Sequence, residues 1–156
     1  MCRRFCAPAL RVLAILVLGV LPLAGTAPAF AAQDIRLDKY FKACAGTEPE
    51  FSLDQRIDGC STLIVLNPTF ADGFYLRGVA YSRKGDIDKA IDDFDHAIAL
   101  KPTHIDALIG RGQAYYIKGS FDLAIADFKQ ALRFDPNNKY AAASLRLVQD
   151  DKSATH

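Results

Sequence analysis

The chain has 156 residues, 51% of them hydrophobic, with 19 Lys+Arg against 18 Asp+Glu and a formal net charge of +1. So even a balance leaves no basic footprint for nucleic acid. With 24% charged residues and no long run of one sign, the composition is that of a folded domain rather than a charged tail.

Residues 1–31 have the three-part form of a secretory signal peptide. Arg3, Arg4 and Arg11 make a basic start, an apolar run over 12–23 is broken only by Gly19 and Pro22, and Ala29-Phe30-Ala31 offers small residues at a cleavage position. An apolar run of about 12 residues falls short of the roughly 20 that a spanning helix needs, which favours export over a membrane anchor. Phe5 directly after the arginine pair favours ordinary over twin-arginine export, and no cysteine stands at the cleavage position to carry a lipid. Removing the leader takes away three Arg and no acid, leaving 16 basic against 18 acidic residues, a net charge of −2. The remaining length suits one domain.

Cys44 and Cys60 are then the two remaining cysteines. They are either buried thiols or a disulfide, and export favours the disulfide. Closing a loop of that size stabilises by about 3 kcal/mol in the chain-entropy model. No CxxC pair exists, so neither a redox nor a zinc motif is suggested.

The first predicted helix covers residues 35–44 and is cut short by Ala45-Gly46-Thr47-Glu48-Pro49. Ser52 and Gln55 then form a capping box that opens a second helix, with Ile57, Cys60, Leu63 and Ile64 on its buried face. Over 71–84, Phe74, Tyr75, Gly78, Val79 and Tyr81 recur at spacings of three and four, as do Ile87, Ala90, Ile91, Phe94, Ala97 and Ile98 over 87–100. Each set is one apolar face of a helix. Gly85 ends the first of these helices and Asp86 caps the next; Gly119 and Ser120 repeat the pattern. Residues 139–150 read as a closing helix, with Tyr140, Ala141, Leu145 and Val148 facing the protein, and residues 151–156 as a frayed tail.

A period underlies these elements. Pro68, Pro102 and Pro136 stand 34 residues apart, and 71–104 matches 105–138 at fourteen positions, among them Arg77/Arg111, Gly78/Gly112, Phe94/Phe128 and Ala97/Ala131. A helix pair of this kind cannot bury its apolar surface alone, so neighbouring pairs must stack.

These residues resemble the tetratricopeptide repeat. Counted from Ala71, the signature positions hold Phe74, Gly78, Tyr81, Ala90, Phe94, Ala97 and Pro102; counted from Ile105, they hold Leu108, Gly112, Tyr115, Ala124, Phe128, Ala131 and Pro136. The resemblance implies an all-α fold, a short right-handed superhelix of helix-turn-helix repeats closed by a C-terminal capping helix. Residues 32–70 form a degenerate first repeat, because Arg56 and Cys60 fall where Ala and an aromatic are expected. A Cys44–Cys60 bond would clamp its two helices.

Arg77 and Arg111 take a usually apolar place, and Asp93 and Asp127 each follow their arginine by 16 residues. They are read as structural ion pairs, Arg77–Asp93 and Arg111–Asp127; the alternative is a pair of arginines shown to an anionic ligand. The resemblance also implies a concave groove lined by the first helix of each repeat. It places Asp72, Tyr75, Val79, Ser82 and Arg83 there, followed by Asp106, Ile109, Gln113, Tyr116 and Ile117, unless some of these pack on the closing helix. Tyr75, Val79, Arg83, Ile109, Gln113 and Tyr116 are the candidate partner-binding residues. No Lys or Asn stands at these places to grip a peptide carboxylate.

His96, His104 and His156 are not at metal-ligand spacing, and no nucleophile elbow or phosphate loop occurs. The expectation is a non-enzymatic, exported protein-protein interaction module, most simply in a bacterial periplasm, needing no cofactor or metal and binding a peptide or helix of an unidentified partner protein. The alternative is a self-associating homodimer with a structural or assembly role in the cell envelope.

Overall fold

The computed structural model describes residues 29–46 and 51–154, with backbone alone for 29–36. The expected leader lies outside the described residues up to residue 28. Among the described residues there are seven helices and no strand: α1 Ala29–Ala45, α2 Leu53–Leu66, α3 Ala71–Lys84, α4 Ile87–Leu100, α5 Ile105–Ile117, α6 Phe121–Phe134 and α7 Lys139–Ala154. They pack as antiparallel pairs, α1 with α2, α3 with α4 and α5 with α6, and α7 closes the stack against α6. Helices α1, α3, α5 and α7 also touch in sequence, so they share one face of a short superhelix.

Packing inside a pair depends on glycine facing phenylalanine. A Cβ on Gly78 would lie 2.8 Å from the Phe94 ring, and one on Gly112 would lie 3.0 Å from Phe128. Both rings are 1% exposed, and burying each contributes about 2–3 kcal/mol. The core crosses pair boundaries: Ile64 of α2 and Ala107 of α5 join the cluster around Phe94, while Ala141 and Val148 of α7 join the one around Phe128.

In the first pair the same contact is made by sulfur. Stepping back 34 residues from Gly78 and Phe94 gives Cys44 and Cys60. Both are buried, with Cα atoms 4.6 Å apart and Sγ atoms at a bonding distance of 2.07 Å.

The turns partly follow expectation. Ser52 and Gln55 make the capping box, Ser52 N donating to Gln55 Oε1 (2.8 Å) and Gln55 N to Ser52 Oγ (3.2 Å). Gly85 and Gly119 have φ of 92° and 73°, the left-handed region where glycine is favoured. Asp86 and Ser120, however, precede their helices without a side-chain capping bond. Asp86 Oδ2 instead accepts from Lys89 Nζ at 2.9 Å. At α5 the cap is His104, whose Nδ1 accepts from Ala107 N at 3.3 Å.

Both ends are longer than the hydrophobic pattern indicates. Helix α1 has 17 residues and starts at Ala29, rather than spanning 35–44. Helix α7 runs to Ala154, so the tail expected to fray is helical to that residue. Asp151 receives the Tyr116 hydroxyl and Lys152 pairs with Asp122, which anchors the last turn.

Candidate functional site: a cleft on the shared helix face

Two charge patterns hold the helices in register before any surface is presented. Arg77 Nε and Nη2 donate to Asp93 Oδ2 and Oδ1 at 2.8 and 2.7 Å, and Nη1 donates to Ser61 Oγ of α2 at 3.0 Å. Arg111 repeats this, with Nε 2.8 Å from Asp127 Oδ2, Nη2 2.6 Å from Oδ1 and Nη1 2.5 Å from Asp95 Oδ1 of α4. Each arginine therefore joins its own pair to the preceding one. Asp93 and Asp127 are both 4% exposed, so the arginines compensate carboxylates that water does not reach. The hydrogen bonds to Asp127 and Asp95 outweigh desolvation and hold Arg111 protonated beyond its already high value.

The second pattern is an exposed ladder. Lys84 pairs with Asp54, Lys118 with Asp88 and Lys152 with Asp122, each across 30 residues. Lysines 84, 118 and 152 are themselves 34 apart. Helix α7 thus occupies the place of the first helix of a further repeat, as well as covering the last one. Arg146 and Gln149 stay exposed on it, as do Tyr140 and Leu147.

This arrangement builds the cleft. Tyr75, Val79 and Arg83 of α3 face Ile109 and Gln113 of α5 around a space of about 410 Å³, with Phe94 and Gly110 at its floor. Gly110 is required there, because a Cβ would sit 2.8 Å from the Phe94 ring. Five of the six candidate partner-binding residues are brought together in this cleft. Tyr116 lies in an adjoining hollow of about 430 Å³, bounded by Ile117, Leu147 and Tyr140. Two of the six are engaged by the protein itself: Gln113 donates to the Tyr140 hydroxyl, and the Tyr116 hydroxyl donates to Asp151. That bond, then desolvation and the Asp151 charge, raises the Tyr116 pKa above the ordinary 10.0. Its stabilising effect is present below pH 10 and is lost as pH rises through the raised value. Tyr75, Val79 and Ile109 make no such bonds; they pack on the core and leave the cleft open between α3 and α5.

Other placements differ from expectation. Tyr140 does not cover the last repeat: it is 56% exposed and lines the cleft, while Ala141 and Val148 carry the burial. Asp72 lies outside the cleft lining, with Oδ1 3.1 Å from His104 Nε2, off the line of a good hydrogen bond. Sequence reasoning also passed over Phe41, 53% exposed with its ring centroid 6.0 Å from that of Phe70. The 34-residue step contains the missing signal, since Phe41, Tyr75 and Ile109 share one repeat position. Among the described residues no group of three His, Cys, Asp or Glu side chains is placed to hold a metal ion.

Known proteins show the same architecture. Residues 70–139 match the family model described as tetratricopeptide repeat. The Arabidopsis OM64 TPR domain is 22% identical and has a TM-score of 0.66, covering 77% of this chain and 96% of that one. The first TPR of Spaghetti (RPAP3), solved bound to an HSP90 peptide, is 25% identical with a TM-score of 0.65, covering 79% of this chain and 92% of that one. MamA is 24% identical with a TM-score of 0.71, covering 80% of this chain and 73% of that one. No curated protein matches the chain in sequence. Residues 70–139 therefore match tetratricopeptide repeats in sequence, and the described chain is similar to tetratricopeptide repeat domains in fold.

Proposed function

We propose that this chain is an exported, non-enzymatic interaction module that holds a peptide or helix of a partner protein in the cleft between α3 and α5. The observation that carries the reading is the cleft itself: Tyr75, Val79 and Ile109 border an open space of about 410 Å³ on a face rigidly set by the arginine and lysine pairs. An apolar side chain of a bound segment gains from leaving water there, and aromatic walls are favoured anchors for such contacts. A peptide-bound relative of the same fold, the RPAP3 domain, supports the class of ligand. Export is supported by the three-part form of residues 1–31 and by the cysteine pair, which would be oxidised outside the cytosol. A bacterial periplasm is the compartment proposed.

In affinity capture with the folded protein, Tyr75→Ala weakens retention of the captured partner by roughly tenfold, the cost of one aromatic anchor. A partner held equally well by the variant, with its helical content intact by circular dichroism, overturns the cleft assignment.

A second reading, self-association in an envelope structure, rests on the apolar residues left open at the α1–α2 end: Leu37, Phe41, Val65 and Leu66 are 45%, 53%, 78% and 62% exposed. On this reading light scattering gives a dimer that Leu66→Ser returns to monomer; a monomer at every concentration removes it.

A further inference from the structure

Five helices carry an acid in their first turn, and the acids fall into two sets. Asp54, Asp88 and Asp122 open α2, α4 and α6, and each meets a lysine of the exposed ladder. Asp72 and Asp106 open α3 and α5, the two helices that form the cleft. Both are exposed, and neither has a lysine or arginine at ion-pair distance among the described residues. The helix dipole favours an acid at every one of these places, so it does not account for the difference. The surroundings of the second set do.

Asp106 lines the cleft together with Tyr75. Burial first, and then the charge of Asp106, raise the Tyr75 pKa above the ordinary 10.0, while Arg83 acts less strongly the other way. The Tyr75 ring is centred 5.1 Å from that of His104, whose Nε2 lies 3.1 Å from Asp72 Oδ1. Asp72, His104, Tyr75 and Asp106 therefore form one connected group at the N-terminal edge of the cleft. His104 does not cancel the acids. It is 6% exposed, and its Nδ1 accepts from Ala107 N, which makes the ring a neutral imidazole. Its Nε2 faces Asp72 but is buried with no hydrogen-bond partner. Arg83, the other charge lining the cleft, stands in the last turn of α3, about 16 Å along the helix from Asp72. Asp72, His104 and Asp106 are not grouped closely enough to hold a metal ion. The group complementary to two such carboxylates beside an aromatic ring is an organic cation, which donates to the acids and lies on the ring face.

We propose that Asp106 and Asp72, with the ring of Tyr75, form a cation site at the N-terminal edge of the cleft, which takes a lysine or arginine side chain of the bound segment. The extension to a partner rests on the cleft reading: the segment then carries an apolar residue for Val79 and Ile109, and a basic one on the side toward the first turns of α3 and α5. The cation site itself is testable without any partner.

The probes are N-acetylarginine amide and N-acetyl-lysine amide, whose only charge is on the side chain. N-acetylcitrulline amide is the uncharged control, and ionic strength is held equal with sodium chloride. In amide NMR spectra of the folded protein, at least one cationic probe gives saturable shifts at Tyr75, Asp106 and Ala107, and the citrulline compound does not. The tighter of the two names the side chain. Asp106→Asn weakens the binding by about tenfold, the worth of one hydrogen bond to a charged group. Asp122→Asn, which alters an exposed first-turn acid outside the cleft, leaves it unchanged. No saturable shift with either cation, equal shifts with the citrulline compound, or equal binding by the parent and Asp106→Asn overturns the site. So does an equal loss in Asp106→Asn and Asp122→Asn, which marks attraction to the whole charged surface. Any of these failures leaves the Tyr75→Ala capture result standing, so the two readings fail separately.

Discussion

Arg111→Met lowers stability by about 3–5 kcal/mol, because it leaves the Asp127 carboxylate buried without its counter-charge. Asp127 is 4% exposed, and its two oxygens accept from Arg111 Nε and Nη2 at 2.8 and 2.6 Å. Neither oxygen can recover those bonds from water without opening the α5–α6 pair. For a domain of this size the loss amounts to a Tm lower by about 10 °C or more. Arg111→Met combined with Asp127→Leu recovers most of it, since a buried ion pair is worth little more than a well-packed apolar one of similar volume. Denaturant melts of both variants check this. If Arg111→Met alone melts with the parent, the ion pair has no structural role and the arginine belongs to a ligand site.

The second large effect is at the α1–α2 pair. Oxidised protein loses about 3 kcal/mol on Cys44→Ala with Cys60→Ala, the loop-closure contribution for a separation of 16 residues. Reduction of the parent gives a similar loss without changing any side-chain volume beyond the thiol protons, so it serves as the control for packing. Equal melting of oxidised and reduced parent, with free thiols found in both, would show that the cysteines act only as two small buried residues. The effect belongs to this pair because the contact that holds α3 to α4 and α5 to α6, glycine against a buried ring, is absent from it.

The helical periodicity and the spacing of Pro68, Pro102 and Pro136 carried the all-helical stacked fold and the pairing of α3 with α4 and of α5 with α6. Glycine and phenylalanine at a fixed separation act locally within one helix pair, which is why they could be read without coordinates. The cleft was legible as a set of positions, and five of the six candidates line it. That some of them pack on the closing helix was an open alternative; which ones do so was not legible. Gln113 and Tyr116 have their polar atoms taken by Tyr140 and Asp151, residues 27 and 35 positions away, and hydrophobic patterning is silent about such pairs. Asp86 and Ser120 had the right chemistry for caps, but the backbone at those positions does not bring the oxygen onto the helix N–H groups.

The sequence by itself determined the unit and its repetition, because each unit is a local structure set by i, i+3 and i+4 spacing, a turn glycine and a terminal proline. Only the tertiary structure decided how units meet. It gave each arginine a second partner in the preceding pair, Ser61 for Arg77 and Asp95 for Arg111. It made α7 a wall of the cleft through Tyr140, and tied the last turn of α7 to α6 through Lys152. It also set Arg56 against Gly46. The physical reason is common to all of these. They are contacts between side chains far apart in the chain, whose energy depends on distance and burial after stacking, and no local pattern encodes either.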